Sequence, residues 1–408
     1  MSAPPSPLTR LRVPGEEDAR RRAWALARAA LAERPATVAP RRARGRAAAV
    51  MAGALLAALV VAFGLTAPGR ATADWVRAHL PEVAGRDARR PAPVVTRAAP
   101  LPGGGRLLAV NEQGLFAFGL PGGAPRELLG RVDAAAWSPH GRFAAAVRGI
   151  ELIAVDLRGR RRWSLAAAHA IRWPAWSPSG FRVAYVTGTI GTGGRTIHVV
   201  AGDGTGDHVL AASGPTPPVW QPGVAPAERL ATVDSAGRVA LRDADSGRVL
   251  WRARLGAAPL QLAWTAGGRR LLALERRRVI VLDAASGAHL GRTPTQTRTT
   301  NIAFATRPGH HGYAVIRRTL APAAAARSRV AVVRTDAAGR RVLDTSSVLF
   351  AGGPIRAVAW SPRGDWLAAD LAGVDGWDLV HLRGRGVDRA RTLAAGRGAR
   401  LSGWCCGG

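Results

Sequence analysis

A short element recurs through the last three quarters of this 408-residue chain: a small residue, Trp, Ser, Pro, any residue, Gly, then an alternating apolar run. It is clearest at Ala136-Trp137-Ser138-Pro139-His140-Gly141-Arg142, in AWSPSGF from Ala175 and in AWSPRGD from Ala359. Degenerate copies surround Trp220 (VWQPG), Trp264 (AWTAGGRR) and Phe304 (AFATRPG). LPGGGRLLAV places Leu101 at the Trp position, and SGWCCGG ends the series with Trp404. The anchors 101, 137, 176, 220, 264, 304, 360 and 404 are separated by 36, 39, 44, 44, 40, 56 and 44 residues. A unit of that length holds four short strands and must stack on neighbours to bury its apolar faces. Seven intervals therefore predict an all-β, seven-bladed β-propeller over residues 101–408.

Each unit has the same internal order. A strand follows the Trp-Ser-Pro turn, as in FRVAYVTG, where Phe181, Val183 and Tyr185 are expected to share one face. Hairpin turns with Gly come next, at DLRGR (156–160), GDGTG (202–206), DADSG (243–247), DAASG (283–287) and DAAGR (336–340). The Trp is expected to start the innermost strand and fill the gap between adjacent sheets, with Pro ending that strand. Trp137, Trp176, Trp220, Trp264, Phe304, Trp360 and Trp404 are thus read as structural blade anchors, not as a ligand cage. ARLSGW (399–404) has no strand after it and is expected to complete the first blade, joining the chain ends and removing open edges. APAAAARS (321–328), in the longest interval, reads as a loop.

These AWSPxG units resemble the TolB-like and WD-type repeats of bacterial β-propellers, and the resemblance covers residues 101–404. The turns read SPHG, SPSG and SPRG where that family commonly has SPDG, and regular Trp-Asp blade ends are absent. The resemblance implies the propeller fold.

Ahead of the repeats, residues 47–67 (AAAVMAGALLAALVVAFGLTA) form an uncharged run of 21 residues. As a helix it would measure about 30 Å, the thickness of a bilayer core, so one transmembrane helix is expected there. Six Arg lie in the 20 residues before it and three in the 20 after, which places the N-terminus in the cytoplasm and the propeller outside. Ala71-Thr72-Ala73 offers the rival reading, a cleaved signal peptide. Residues 1–46 are a basic cytoplasmic segment with an expected helix at 16–33, where Trp24, Ala27 and Leu31 form a narrow stripe that could dock a partner. Residues 68–100 read as a linker. This layout looks like single-pass envelope proteins of high-GC bacteria, some of which act with transcription regulators; that implication is one of analogy.

The formal charge is +31, carried by 58 basic residues that are all Arg. Such usage is what GC-rich codons give, and the Arg are spread through every repeat. A basic stripe with interleaved aromatics is missing, which argues against nucleic acid as a partner. Adjacent Cys405 and Cys406 are too few for a disulfide framework or a zinc site, and are read as small apolar residues of a closing strand, with a strained vicinal disulfide as the alternative. GTGGRT (191–196) precedes a strand and not a helix, so it reads as a hairpin loop rather than a phosphate cradle. His310-His311 and Asp243 with Asp245 fall in turns. No catalytic, cofactor or metal motif is found. The expected function is a membrane-anchored scaffold that binds a protein or peptide, or else a glycan or small molecule. The alternative is a transmembrane regulator that senses an envelope ligand and signals through helix 16–33. Contacts are expected in the loops that differ between blades, 188–195 and 319–328.

Overall fold

The computed structural model describes residues 101–408 except 122, 189–193, 224–227, 321–326, 337–340 and 407–408. The expected helix at 16–33 with Trp24, Ala27 and Leu31, the span at 47–67 and the linker all lie outside the described residues. Among the described residues no helix is long and apolar enough to cross a membrane.

Strands β1 (Arg106–Val110), β2 (Gly114–Phe118) and β3 (Arg126–Gly130) open the first sheet. The second holds β4 (Ala134–Trp137), β5 (Phe143–Arg148), β6 (Glu151–Asp156) and β7 (Arg161–Ala166). The third holds β8 (Ile171–Trp176), β9 (Arg182–Thr187), β10 (Thr196–Ala201) and β11 (His208–Ala212). The fourth holds β12 (Val219–Trp220), β13 (Arg229–Val233), β14 (Val239–Asp243) and β15 (Val249–Ala253). The fifth holds β16 (Gln261–Trp264), β17 (Arg270–Leu274), β18 (Val279–Asp283) and β19 (His289–Arg292). The sixth holds β20 (Thr299–Thr306), β21 (Gly312–Thr319), β22 (Ser328–Thr335) and β23 (Val342–Ala351). The seventh holds β24 (Ile355–Trp360), β25 (Trp366–Leu371), β26 (Gly376–Arg383) and β27 (Gly386–Ala394), and β28 (Arg400–Cys405) returns to the first. The result is seven four-stranded antiparallel sheets whose innermost strands touch one another in a closed ring. This is the expected all-β seven-bladed propeller.

The core is seven layers, each shared by two adjacent blades. In β5, Ala144 and Ala146 pack toward blade 1 with Leu108, while Ala145 and Val147 pack toward blade 3 with Tyr185. In β17, Leu271 and Ala273 face blade 4, and Leu272 and Leu274 face blade 6. A strand buried on both sides needs apolar residues at every position, which is why these segments read as runs rather than strict alternations. The face predicted for Phe181, Val183 and Tyr185 breaks at its first member: Phe181 is 73% exposed, because it belongs to the turn and β9 starts one residue later.

The blade motif acts at the strand ends. The Trp closes the innermost strand instead of starting it, since Trp137, Trp176, Trp220, Trp264 and Trp360 are each the last strand residue. The next residue then caps the turn. Ser138 Oγ accepts the Phe143 N–H at 3.0 Å, Ser177 Oγ that of Arg182 at 3.1 Å, and Ser361 Oγ that of Trp366 at 3.0 Å. Indole N–H groups bridge the seams: Trp220 donates to Ala175 O, Trp264 to Val219 O and Trp360 to Ala305 O. Phe304 has no ring N–H and sits 2% exposed, edge-on to Tyr313. The indole N–H groups of Trp137 and Trp176 meet no acceptor among the described residues.

β28 pairs antiparallel with β1, setting Trp404 opposite Leu107. Leu101 lies in the turn before β1, packed in one cluster with Trp404, and the Trp404 indole donates to Gly104 O at 2.9 Å. The buried Asp370 carboxylate seals the last seam by accepting Arg356 and the Leu401 N–H. Cys405 and Cys406 are joined in a vicinal disulfide, which replaces the reading of two independent small apolar residues. Its sulfurs lie against the Ser138–Gly141 turn of blade 2, at the point where a side chain on Gly141 would collide with Cys406.

A candidate interaction face

Antiparallel order divides the connections between two faces. One face carries the Trp-Ser-Pro turns and the third-to-fourth-strand hairpins, and is called the turn face. The other carries the second-to-third-strand hairpins and the links between blades, and is called the loop face. The two irregular loops singled out from the sequence, 188–195 and 319–328, connect β9 to β10 and β21 to β22, so both fall on the loop face. Residues 189–193 and 321–326 within them lie outside the described residues. At its described edge, Arg195 lies over the Trp173 ring at 5.8 Å and donates to Gly214 O. Trp173 holds a φ of 54° just before Pro174, and the β8–β9 ladder shifts register there. A bulky residue takes that conformation only under strain.

On the turn face the aspartates are used within its own turns and seams, while Arg142, Arg158, Arg269 and Arg363 are exposed there without a side-chain partner among the described residues. Asp243 Oδ1 accepts the N–H and hydroxyl of Ser246, and Asp283 Oδ1 accepts the N–H groups of Ala285 and Ser286. Burial raises the Asp283 carboxyl, but these donors and the Arg270 guanidinium more than offset it and hold it below the usual carboxylate range. Asp243 is likewise low, chiefly through Ser246. Sequence reading placed Asp245 only in a turn, yet it ion-pairs across the seam with Arg182, which also binds the buried Glu228. Nothing local in the sequence signals that network, because its members lie 46 and 63 residues apart. His310 turns back to Pro308 O, and among the described residues no group of three His, Cys, Asp or Glu is placed to hold a metal.

The loop face is different in one sector. Around blades 7, 1, 2, 3 and the hairpin of blade 4, its connections carry Arg131, Arg195, Arg238 and Arg397 against Glu112, Asp133, Asp234 and Asp375, four of each sign. From the link after β15 to the hairpin before β22, they carry Arg254, Arg276, Arg277, Arg278, Arg298 and Arg327 against Glu275 alone. Arg278 pairs with Glu275. The guanidinium groups of the other five have no hydrogen-bond or ion-pair partner among the described residues, and all five residues are exposed. The innermost strands, which line the central channel, contain no Asp, Glu or His. The Trp anchors sit in the seams and contribute nothing to either face's open chemistry.

No protein-family model and no curated protein matches the chain. Solved structures match it in fold. The β-propeller domain of Cps50 (Swd1) from Myceliophteria thermophila is 16% identical with a TM-score of 0.52, covering 68% of this chain and 94% of that one. A functionally unknown protein from Desulfotomaculum acetoxidans is 10% identical with a TM-score of 0.53, covering 74% and 100%. A Bacteroides uniformis protein assigned to the 6-phosphogluconolactonases is 14% identical with a TM-score of 0.51, covering 73% and 99%. At these identities the likeness concerns the fold alone, which hosts scaffolds and enzymes alike.

Proposed function

We propose that this chain is a membrane-anchored, extracytoplasmic scaffold that holds a protein partner on the loop face of its propeller. The observation that carries the reading is the sector in which five arginines have no partner among the described residues and the one carboxylate is paired, on a ring whose repeated residues are otherwise used for locking blades together. Unpaired surface cations steer an oppositely charged partner and raise its association rate. A channel wall without carboxylate or imidazole on its strands supports binding over hydrolysis, since general acid–base chemistry needs such groups within reach. The anchor rests on the apolar run at 47–67.

The test is co-purification with mass spectrometry from membranes, comparing the natural chain with one whose residues 1–40 are replaced by an unrelated basic segment. Equal recovery of envelope proteins by both supports the external scaffold. Enrichment of a cytoplasmic regulator that is lost with the replacement favours the regulator reading, with Trp24, Ala27 and Leu31 as its docking stripe. Recovery of no partner by either version overturns both.

A further inference from the structure

Within the basic sector a groove of about 730 Å³ runs between the link that enters blade 5 and that blade's own hairpin. One wall is apolar, formed by Ala257, Ala258 and Pro259 with Pro215 from the preceding link. The hairpin of blade 5 adds Glu275, Arg276, Arg277 and Arg278 to the lining, and Arg278 reaches Gly256 beside the apolar wall.

Both sides are held firmly. The hairpin backbone is gripped by blade 6: Arg276 O accepts the Asn301 N–H at 2.6 Å, Arg277 O accepts the Gln296 N–H at 2.8 Å, and Glu275 O accepts Asn301 Nδ2 at 2.9 Å. The apolar wall is fixed by the Thr216 hydroxyl, which donates to Pro259 O at 2.6 Å, and by the Leu260 N–H on Leu274 O. Gly256 leaves room for Arg278, whose Nη2 would lie 2.7 Å from a side-chain carbon there. The backbone is therefore set before any ligand arrives, while two guanidinium groups have no partner among the described residues, an arrangement that reduces the ordering cost of binding.

We infer that this groove binds an acidic peptide segment of a partner protein, with interspersed apolar residues; the inference rests on the scaffold reading above. Carboxylates of the segment meet Arg276 and Arg277 in charge-assisted, two-pronged hydrogen bonds. Its apolar side chains lie on the Ala257–Pro259 wall. The apolar wall and Glu275 together distinguish between anions. Glu275 is 5% exposed, gives one oxygen to Arg278, and leaves Oε1 without a donor among the described residues. A peptide brings apolar side chains that can cover the Ala257–Pro259 wall as well as carboxylates. A polyphosphate brings only acceptors and negative charge, adding repulsion beside an already unsatisfied carboxylate.

The experiment uses the full-length protein and a fluorescein-labelled, end-capped peptide of alternating Glu and Leu, read by anisotropy. The same peptide with Gln for Glu, and inorganic polyphosphate as competitor, are run beside it. Saturable binding of the Glu/Leu peptide is expected, weakened on the order of tenfold or more by the R276S/R277S double variant, because two charge-assisted contacts are lost. The turn-face variant R142S/R363S, which removes the same charge, should leave affinity unchanged. Equal weakening by both variants would mean net charge alone, and would overturn the site. So would polyphosphate binding that requires Arg276 and Arg277 and strengthens in E275Q. If co-purification of partners survives R276S/R277S, the groove falls and the scaffold stands. If Arg-dependent peptide binding is seen while no partner co-purifies, the groove stands and the scaffold reading falls.

Discussion

The cleft at the turn end of blade 6, about 440 Å³, is lined by Arg307, Arg334 and Arg385, as many arginines as the groove between blades 4 and 5 holds. In the turn-face cleft the arginines have partners. Arg307 donates to Gly364 O at 2.6 Å and lies 5.0 Å over the Trp360 ring, and burial pulls its pKa down. Arg334 and Arg385 share Asp344. In the loop-face groove Arg276 and Arg277 have no such partners among the described residues. Similar sets of arginines are thus held differently: the three of the turn-face cleft have partners, whereas two of the three in the groove, on the hairpin of blade 5, have none among the described residues.

This contrast predicts that damage to the repeated parts costs stability, and that damage to the loop face costs binding. The largest effect should follow removal of residues 399–408. That deletion strips β1 of its inner partner, opens the ring and exposes an edge, so a cooperative melting transition should be lost by circular dichroism. Retention of the native transition within about 2 °C would show that the ring does not depend on closure. Next comes Trp264→Ala. Trp264 is 5% exposed in the layer between blades 4 and 5, and the change should cost about 3–5 kcal/mol in chemical denaturation.

Smaller, at about 2–3 kcal/mol, is Glu228→Ala, which removes a buried acceptor of Arg182 and Ser179 and leaves Arg182 with only Asp245. The R276S/R277S variant should stay within about 0.5 kcal/mol of the natural chain in the same assay, as exposed surface changes do. A loss comparable to that of Glu228→Ala would erase the distinction between the faces. The smallest effect is on acid stability. Asp156, Asp243 and Asp283 have pKa values lowered by folding. Their stabilisation is therefore complete above the unfolded carboxyl value of about 3.9 and is lost as pH falls through it toward the folded values. Denaturation midpoints should be level near neutrality and fall in that acidic window. Asp283→Asn should make the fall shallower, and an unchanged slope would remove Asp283 from the account.

Much of the architecture was legible because a propeller repeats one physical problem seven times. Trp, Ser, Pro and Gly mark the same strand end, turn cap and reversal in each blade, so their spacing alone counts blades and places the closing strand. Smaller errors came from reading one copy in isolation. Phe181 fits the alternation of β9 but belongs to the turn, and Trp137 could as well begin a strand as end one until its partner Ala144 is known. The candidate site was less legible. The irregular loops 188–195 and 319–328 fall on the same face as the basic groove, whereas ERRR at 275–278 looked like one more scatter of Arg.

The sequence by itself determined the number of blades, the hairpin turns and the joining of chain ends, since these follow from local periodicity and turn chemistry repeated along the chain. Only the tertiary structure decided which charges are satisfied. Arg182 finds Glu228 and Asp245 across a seam, and Asp370 reaches Leu401, whereas Arg276 and Arg277 find no partner among the described residues. The reason is that charge compensation depends on distance in space. Seams bring together residues tens to hundreds of positions apart, and no local pattern records which of them will meet.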